Sequence, residues 1–132
     1  MKNFSFNLIL VFAFLILFFS CKNSNQVKTS FRQKEFDQFF YQGQEDKAAG
    51  RNAEAILAFE KALNYKDEPT LHFEIAKLIL ESTGQDYSTT EKSLQDALEH
   101  IQKAVRTDQK NEWYNETLGQ IYWAMGDEKD AL

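Results

Sequence analysis

The chain has 132 residues, a formal net charge of −5 and a single cysteine. This length suits one domain. The acidic balance excludes the basic surface that binds nucleic acid or holds anionic lipid through charge, and one cysteine cannot form an internal disulfide.

The first segment is far more apolar than the rest of the chain. Lys2 precedes an unbroken apolar run over residues 8–19, and Ser20 separates that run from Cys21. The run is too short for a permanent membrane-spanning helix, which needs about 20 residues. A basic start, a short apolar run and a small residue before a break predict a secretory leader over residues 1–20.

The residues that end this leader resemble the lipobox of bacterial lipoproteins. In the stretch 17–21 (LFFSC), Ser20 meets that family's small-residue requirement, whereas Phe18 and Phe19 depart from its pattern. The resemblance implies removal of the leader, lipidation of Cys21 (palmitate among the acyl groups) and an anchor in the bacterial envelope. Lys22 stands where aspartate commonly signals inner-membrane retention, so the periplasmic side of the outer membrane is favoured. The alternative is an incidental thiol after an ordinary leader.

The remainder of the chain has a helical pattern. Residues 21–30 are polar and without periodicity, which predicts a flexible tether. Apolar residues then recur near every 3.6 positions, without a useful alternating pattern, so the sequence predicts an all-α domain over residues 31–132. We expect helices over about 31–49, 53–65 and 70–81, a fourth ending near Arg106, a fifth opened by Asn111, and a sixth beginning near Glu128.

Helix ends and inner faces can also be predicted. Capping boxes are expected at Ser30 with Gln33 and at Ser88 with Glu91, and Pro69 suits a helix start. Gly50 and then Gly126 should end helices. The residues expected to face inward are Phe36, Phe39, Phe40, Gly43, Ala55, Ile56, Phe59, Ala62, Leu63, Leu71, Ile75, Leu78, Ile79, Leu94, Ala97, Leu98, Ile101, Val105, Leu118, Ile121, Tyr122 and Met125.

Three stretches repeat one order of small and large residues. They cover residues 50–63, 97–105 and 118–132, and Ala97 and Ala131 lie 34 residues apart. The stretches resemble the tetratricopeptide repeat (TPR), a helix pair of 34 residues. The resemblance covers roughly residues 36–132 and implies a solenoid of about two and a half repeats. The alternative is an ordinary helical bundle.

Close packing explains why small and large residues alternate in this way. Small side chains let helix axes approach, and large side chains fill the adjacent space. The small places are Gly43, Ala55, Ala62, Ala76, Ala97, Ala104 and Gly119, and the large ones are Phe59, Ile101 and Tyr122.

The chain departs from the repeat in three ways. Asp46 and Asn115 stand at aromatic places, the latter beside Trp113 and Tyr114 as substitutes. Residues 82–90 contain an excess over the period, read either as a tolerated surface insertion or as a functional elaboration. The chain stops inside a repeat, which predicts that the protein continues.

Residue patterns for catalysis are missing from the sequence. It has no HExxH pair, Gly-rich phosphate loop or GxSxG elbow, so we expect a non-enzyme without metal or cofactor. His72 and His100 are expected to be surface or packing residues. Exposed, solvated positions are expected for the acidic groups Glu35, Asp37, Glu45, Asp46, Asp127, Glu128 and Asp130.

The TPR resemblance also implies a concave partner-binding groove, lined mainly by the first helix of each repeat. The matching places are Asp37, Phe40, Gln44, Lys47, Phe73, Lys77, Glu81, Trp113, Glu116, Gln120 and Trp123. Such a groove suits an extended or helical peptide. Phe40 and Phe73 are as readily explained by packing, whereas Trp123 should be exposed because Tyr122 takes the inward place. Phe40 and Gln44 replace the lysine and asparagine of a carboxylate clamp, so that binding mode is not expected.

These observations favour a lipid-anchored scaffold that binds protein or peptide partners. One alternative is an accessory module of a larger envelope enzyme or sensor. The other is a lipoprotein that binds glycan through its aromatic residues.

Overall fold

The computed structural model describes residues 28–83 and 90–126, and these form an all-α, helical repeat-like fold without strands. The first helix, α1, covers residues 28–48. It is followed by α2 (Asn52–Leu63), α3 (Pro69–Thr83), α4 (Thr90–Thr107) and α5 (Glu112–Ala124). The predicted leader, Cys21, the Ser88 cap and the start of a sixth helix lie outside the described residues.

The turn between α1 and α2 is made by Gly50, as predicted. Gly50 has a φ of 73°, a left-handed conformation that is costly for residues with a Cβ. Its N–H donates to the carbonyl of Lys47 (3.0 Å), and the Arg51 N–H donates to that of Asp46 (2.9 Å). This pair of bonds forms a Schellman motif, which satisfies carbonyls that the helix end leaves free.

Two predictions near the start of α1 are wrong. Residues 28–30 are already helical, so Ser30 is not a cap and the predicted tether over residues 21–30 ends at least three residues earlier. Gln33 donates to Asp37 one turn ahead (2.7 Å) instead of to a cap residue. Residues 28–30 are polar, and their composition alone does not indicate that α1 begins before its first apolar residue.

The helix starts at Pro69 and Asn111 agree with the sequence. Pro69 is the first residue of α3, where its missing N–H costs no helical hydrogen bond. Asn111 caps α5, because its side-chain oxygen accepts a hydrogen bond from the Tyr114 N–H at 3.3 Å. The two ends of the predicted loop over residues 82–90 are helical: Ser82 continues α3 and donates to the Leu78 carbonyl (2.7 Å), and Thr90 begins α4.

One core cluster joins α1, α2 and α3. Gly43 is buried, and a Cβ placed there would lie 2.4 Å from Cε1 of Phe59. The missing side chain therefore gives the Phe59 ring its space. The buried members of this cluster are Phe36, Ala55, Phe59, Ala62, Leu71, Ile75 and Leu78.

A second core cluster joins α3, α4 and α5. Its alanines are fully buried, so each lies at a close helix contact, and Ile101 and Ile121 fill the intervening space. The buried members are Ala76, Ala97, Leu98, Ile101, Ala104, Tyr114 and Ile121. Because Ile79 of α3 packs against both clusters, α3 links them into one structure.

Two burial predictions are wrong. Asp46 was expected in solvent, yet it is buried (7% exposed) and accepts from Nε and Nη2 of Arg51 at 2.9 and 2.6 Å. The same contact raises the pKa of Arg51. Met125 was expected to face inward, yet it is 37% exposed, because it follows the end of α5 at Ala124.

Candidate functional site: the face of α1, α3 and α5

Cross-helix contacts place α1, α3 and α5 side by side. Nζ of Lys47 in α1 lies 2.5 Å from Oε2 of Glu74 in α3. The Phe73 ring of α3 lies 5.2 Å, centroid to centroid, from the Tyr114 ring of α5. Two of the predicted groove residues thus serve to join neighbouring helices.

Sequence reasoning missed Glu74 as a residue of this face. Glu74 is only partly exposed and forms the ion pair with Lys47. Glu74 lies one helical turn before Leu78 in the sequence, and nothing in that position distinguishes it from other surface carboxylates. The sequence offers Tyr114 as a substitute aromatic residue. It is buried at 7% exposure, and this burial raises the pKa of its hydroxyl.

The α1 part of the predicted groove is largely occupied by internal packing. Phe40 is half-buried and stacks on Phe36 at 5.9 Å, with Phe59 at 6.4 Å. Gln44 is also half-buried. Phe40 therefore contributes mainly to the first core cluster, which is the packing role that the sequence left open.

The α3 part of the groove is polar and exposed. Lys77 and Glu81 are both exposed and lie one helical turn apart, with Nζ and Oε1 separated by 3.9 Å. An exposed pair at this distance contributes little to stability. Phe73 is half-buried against Tyr114, so this part of the face offers mainly charge to a partner.

The α5 part presents the most exposed aromatic surface on this face. Trp113 is 70% exposed and Trp123 is 73% exposed. Glu116 and Gln120 lie between them and are also exposed, joined by a hydrogen bond from Gln120 Nε2 to Glu116 Oε1 (3.3 Å). The steps of three, four and three residues place all four side chains on one stripe of α5. We call Trp113, Glu116, Gln120 and Trp123 the α5 stripe.

Clefts occur elsewhere, along α2 and α4. One cleft, of about 420 Å³, is lined by Ile56, Glu60, Ile79, Ser93, Asp96, Glu99 and His100. A second, of about 410 Å³, shares Glu60 and His100 and is lined further by Leu63, Asn64, Asp67, His72 and Lys103. None of the predicted groove residues lines either cleft. These two clefts are therefore separate from the predicted groove residues.

The two histidines form a pair that sequence reasoning did not foresee. Nδ1 of His72 lies 2.8 Å from Nδ1 of His100, and Nε2 of His72 lies 2.8 Å from Oδ1 of Asp67. If His72 donates from Nε2 to the Asp67 carboxylate, its Nδ1 accepts the proton of His100 Nδ1. In this arrangement each of the two hydrogen bonds has one donor and one acceptor. Burial, with a smaller contribution from His72, lowers the pKa of His100 from 6.5 to about 4.

This pair lies 28 residues apart in the chain and connects α3 to α4. Each histidine alone carries no motif, so only the packing of the two helices reveals their contact. In residues 28–83 and 90–126, no group of three or more histidine, cysteine, aspartate or glutamate residues is arranged to hold a metal ion.

Comparison of the chain with protein-family models, with curated proteins and with solved structures finds no match in any of the three. Across the described residues, no helix has the length and apolar character needed to span a membrane. The fold therefore defines the class of the protein as an all-α, helical repeat-like protein.

Proposed function

We propose that this chain is a lipid-anchored TPR scaffold of the bacterial envelope, which binds protein or peptide partners through the face of α1, α3 and α5. The observation that carries the proposal is the exposure of Trp113 and Trp123 on one stripe of α5. Tryptophan buries a large apolar area on binding, and it is enriched among the residues that dominate binding energy. Two exposed tryptophans on one helix face therefore suit a partner surface.

Packing supports the TPR part of the proposal. Six of the seven small places named from the repeat are buried, and Gly119 is half-buried. Gly43 lies against Phe59, and Ala55, Ala97 and Ala104 are fully buried. Asp46, at a place where the repeat has an aromatic, binds Arg51 in the following turn.

Site-specific photo-cross-linking tests the binding surface. A photoreactive residue at Gln120 should give a discrete adduct in the native envelope, and one at Leu57, which is 56% exposed on α2, should not. Replacing both tryptophans with alanine should abolish the Gln120 adduct. Absence of an adduct at Gln120, or an equal adduct at both positions, contradicts the proposal.

Metabolic labelling with palmitate tests the anchor. The full-length chain should incorporate label, Cys21→Ala should lose it, and the neighbouring Ser24→Ala should retain it. Label that persists in Cys21→Ala shows that the anchor is assigned to the wrong residue. Each covalently attached acyl chain contributes about 0.8 kcal/mol per buried methylene. This modification would therefore hold an acidic chain at a membrane without the help of a basic cluster.

Glycan binding is the second candidate, because the exposed tryptophan rings flank a carboxylate and an amide. Sugars would stack on Trp113 and Trp123 and form hydrogen bonds with Glu116 and Gln120. If the double tryptophan variant abolishes binding of envelope glycan fragments but leaves the Gln120 adduct intact, the scaffold proposal fails and glycan binding replaces it.

A further inference from the structure

The charges on the partner-facing helices are unevenly neutralised. Lys47 pairs with Glu74, and Lys77 lies near Glu81. Within the described residues, Glu116 receives only the amide hydrogen bond of Gln120 and has no ion pair with a lysine or arginine. Since α5 (Glu112–Ala124) contains two glutamates and no basic residue, this part of the face has negative charge available to a partner.

The aromatic rings show the same asymmetry. Lys61 places Nζ 5.7 Å from the centroid of Phe39, and Lys66 places Nζ 5.3 Å from that of Phe36. In the described part of the chain, no cation lies over Trp113 or Trp123, although indole is the ring that attracts cations most strongly. The best cation-binding rings are therefore exposed and open to a cation from outside.

We propose that the α5 stripe binds a cationic segment of a protein partner. Lysine or arginine side chains lie against the Trp113 and Trp123 rings, and their charge is balanced by Glu116 between them. This inference rests on the proposed binding function and specifies the chemistry of its ligand. It agrees with the net charge of −5, because an acidic chain attracts a basic partner at long range.

The length of the stripe sets the spacing of the cations. Ten residues separate Trp113 from Trp123, and at 1.5 Å per residue their Cα atoms lie about 15 Å apart along the helix. In an extended peptide, residues four positions apart point to the same side and are separated by about 13 Å. Two basic side chains in an i, i+4 arrangement therefore match the two rings.

The test uses the full chain in neutral detergent and three eleven-residue Gly/Ser peptides. One peptide carries arginine at positions four and eight, the second carries citrulline there, and the third carries glutamate. Citrulline keeps the shape of arginine and removes its charge. The chain has two tryptophans, so selective tryptophan fluorescence reports on the α5 stripe alone. The arginine peptide should bind at least about tenfold more tightly than the other two.

Variants assign the effect to named side chains. Glu116→Gln should weaken arginine-peptide binding about threefold, whereas Glu54→Gln, the same charge change at an exposed site on α2, should leave it unchanged. Replacing both tryptophans with leucine keeps apolar bulk and removes the indole rings, and it should reduce binding about tenfold, measured by calorimetry. Added salt should weaken the arginine peptide more than the citrulline peptide.

Two results overturn this inference. If arginine and citrulline peptides bind equally or not at all, while the Gln120 adduct persists, the cation preference is wrong and the binding function stands. If the tryptophans are quenched by brominated phosphatidylcholine in reconstituted vesicles, the stripe faces lipid and not a cationic partner. Loss of the Gln120 adduct itself contradicts the underlying function instead.

Discussion

The core cluster that joins α1, α2 and α3 is built around aromatic rings, whereas the cluster that joins α3, α4 and α5 is built around alanine and isoleucine. In the first cluster, Gly43 has no side chain, and the Phe59 ring occupies the space that a Cβ would need. In the second, alanines allow close approach and β-branched side chains fill the space. The same helix spacing can thus be obtained from different residue pairs, and the two halves should respond differently to substitution.

The two clusters also differ in their buried polar groups. The first has the ion pair of Asp46 with Arg51, whose geometry does not depend on a histidine. The second adjoins the His72–His100 pair, and the chain has no other histidines. We therefore expect histidine-dependent changes in stability to arise only in the second half of the fold.

The largest effect should come from Ala97→Arg in the second cluster. Ala97 is fully buried at 0% exposure, so an arginine there forces an unpaired charge into a tight helix contact. We expect a loss of about 4 kcal/mol or more in the free energy of unfolding. Gln95→Arg, at an exposed site on the same helix, should change it by less than about 0.5 kcal/mol. Equal thermal melts for the two variants would show that Ala97 is misplaced.

Gly43→Ala tests the first cluster with the smallest possible change. The new Cβ would lie 2.4 Å from Cε1 and 2.5 Å from Cδ1 of Phe59, so the ring must shift. Overpacking should cost about 2 kcal/mol, despite the gain of up to about 1 kcal/mol in helix propensity. In a double-mutant cycle measured by urea denaturation, Phe59→Leu should relieve the overpacking, so the double variant should lose less stability than the sum of the two single variants. Additive effects would contradict the contact.

Acidification should destabilise the second half through His100. Because its folded pKa is lowered to about 4 from 6.5, the unfolded chain binds more protons between these values, and stability falls as pH falls through that window. The partly exposed site reduces the effect to about 2 kcal/mol. His100→Gln should flatten the dependence measured by denaturation at each pH. If His100→Gln left the slope of unfolding free energy against pH unchanged, carboxylates alone would cause the pH dependence.

The smallest effect should come from the cap of α5. Asn111→Ala removes the acceptor for the Tyr114 N–H and should cost about 1 kcal/mol in the free energy of unfolding. Asn111→Asp keeps an acceptor and places negative charge at a helix N-terminus, so it should retain wild-type stability in the same measurement. If alanine and aspartate behave alike, the cap contributes nothing.

Much of the fold could be predicted from local patterns. The apolar stripes located α2 to α5 within a few residues, and Gly50, Pro69 and Asn111 marked helix ends because their backbone preferences act locally. The exposure of Trp123 also followed from periodicity, since Tyr122 takes the partly buried side.

Contacts between one helix and the segments packed against it were decided by the tertiary structure. Asp46 is buried because α1 turns into α2 and brings Arg51 beside it, and His72 meets His100 because α3 packs on α4. The same packing turned Phe40 and Phe73 inward and left the α5 stripe outward. Sequence periodicity assigns a residue to one side of its own helix. Which side meets another helix, and which remains open to a partner, depends on how the helices pack together.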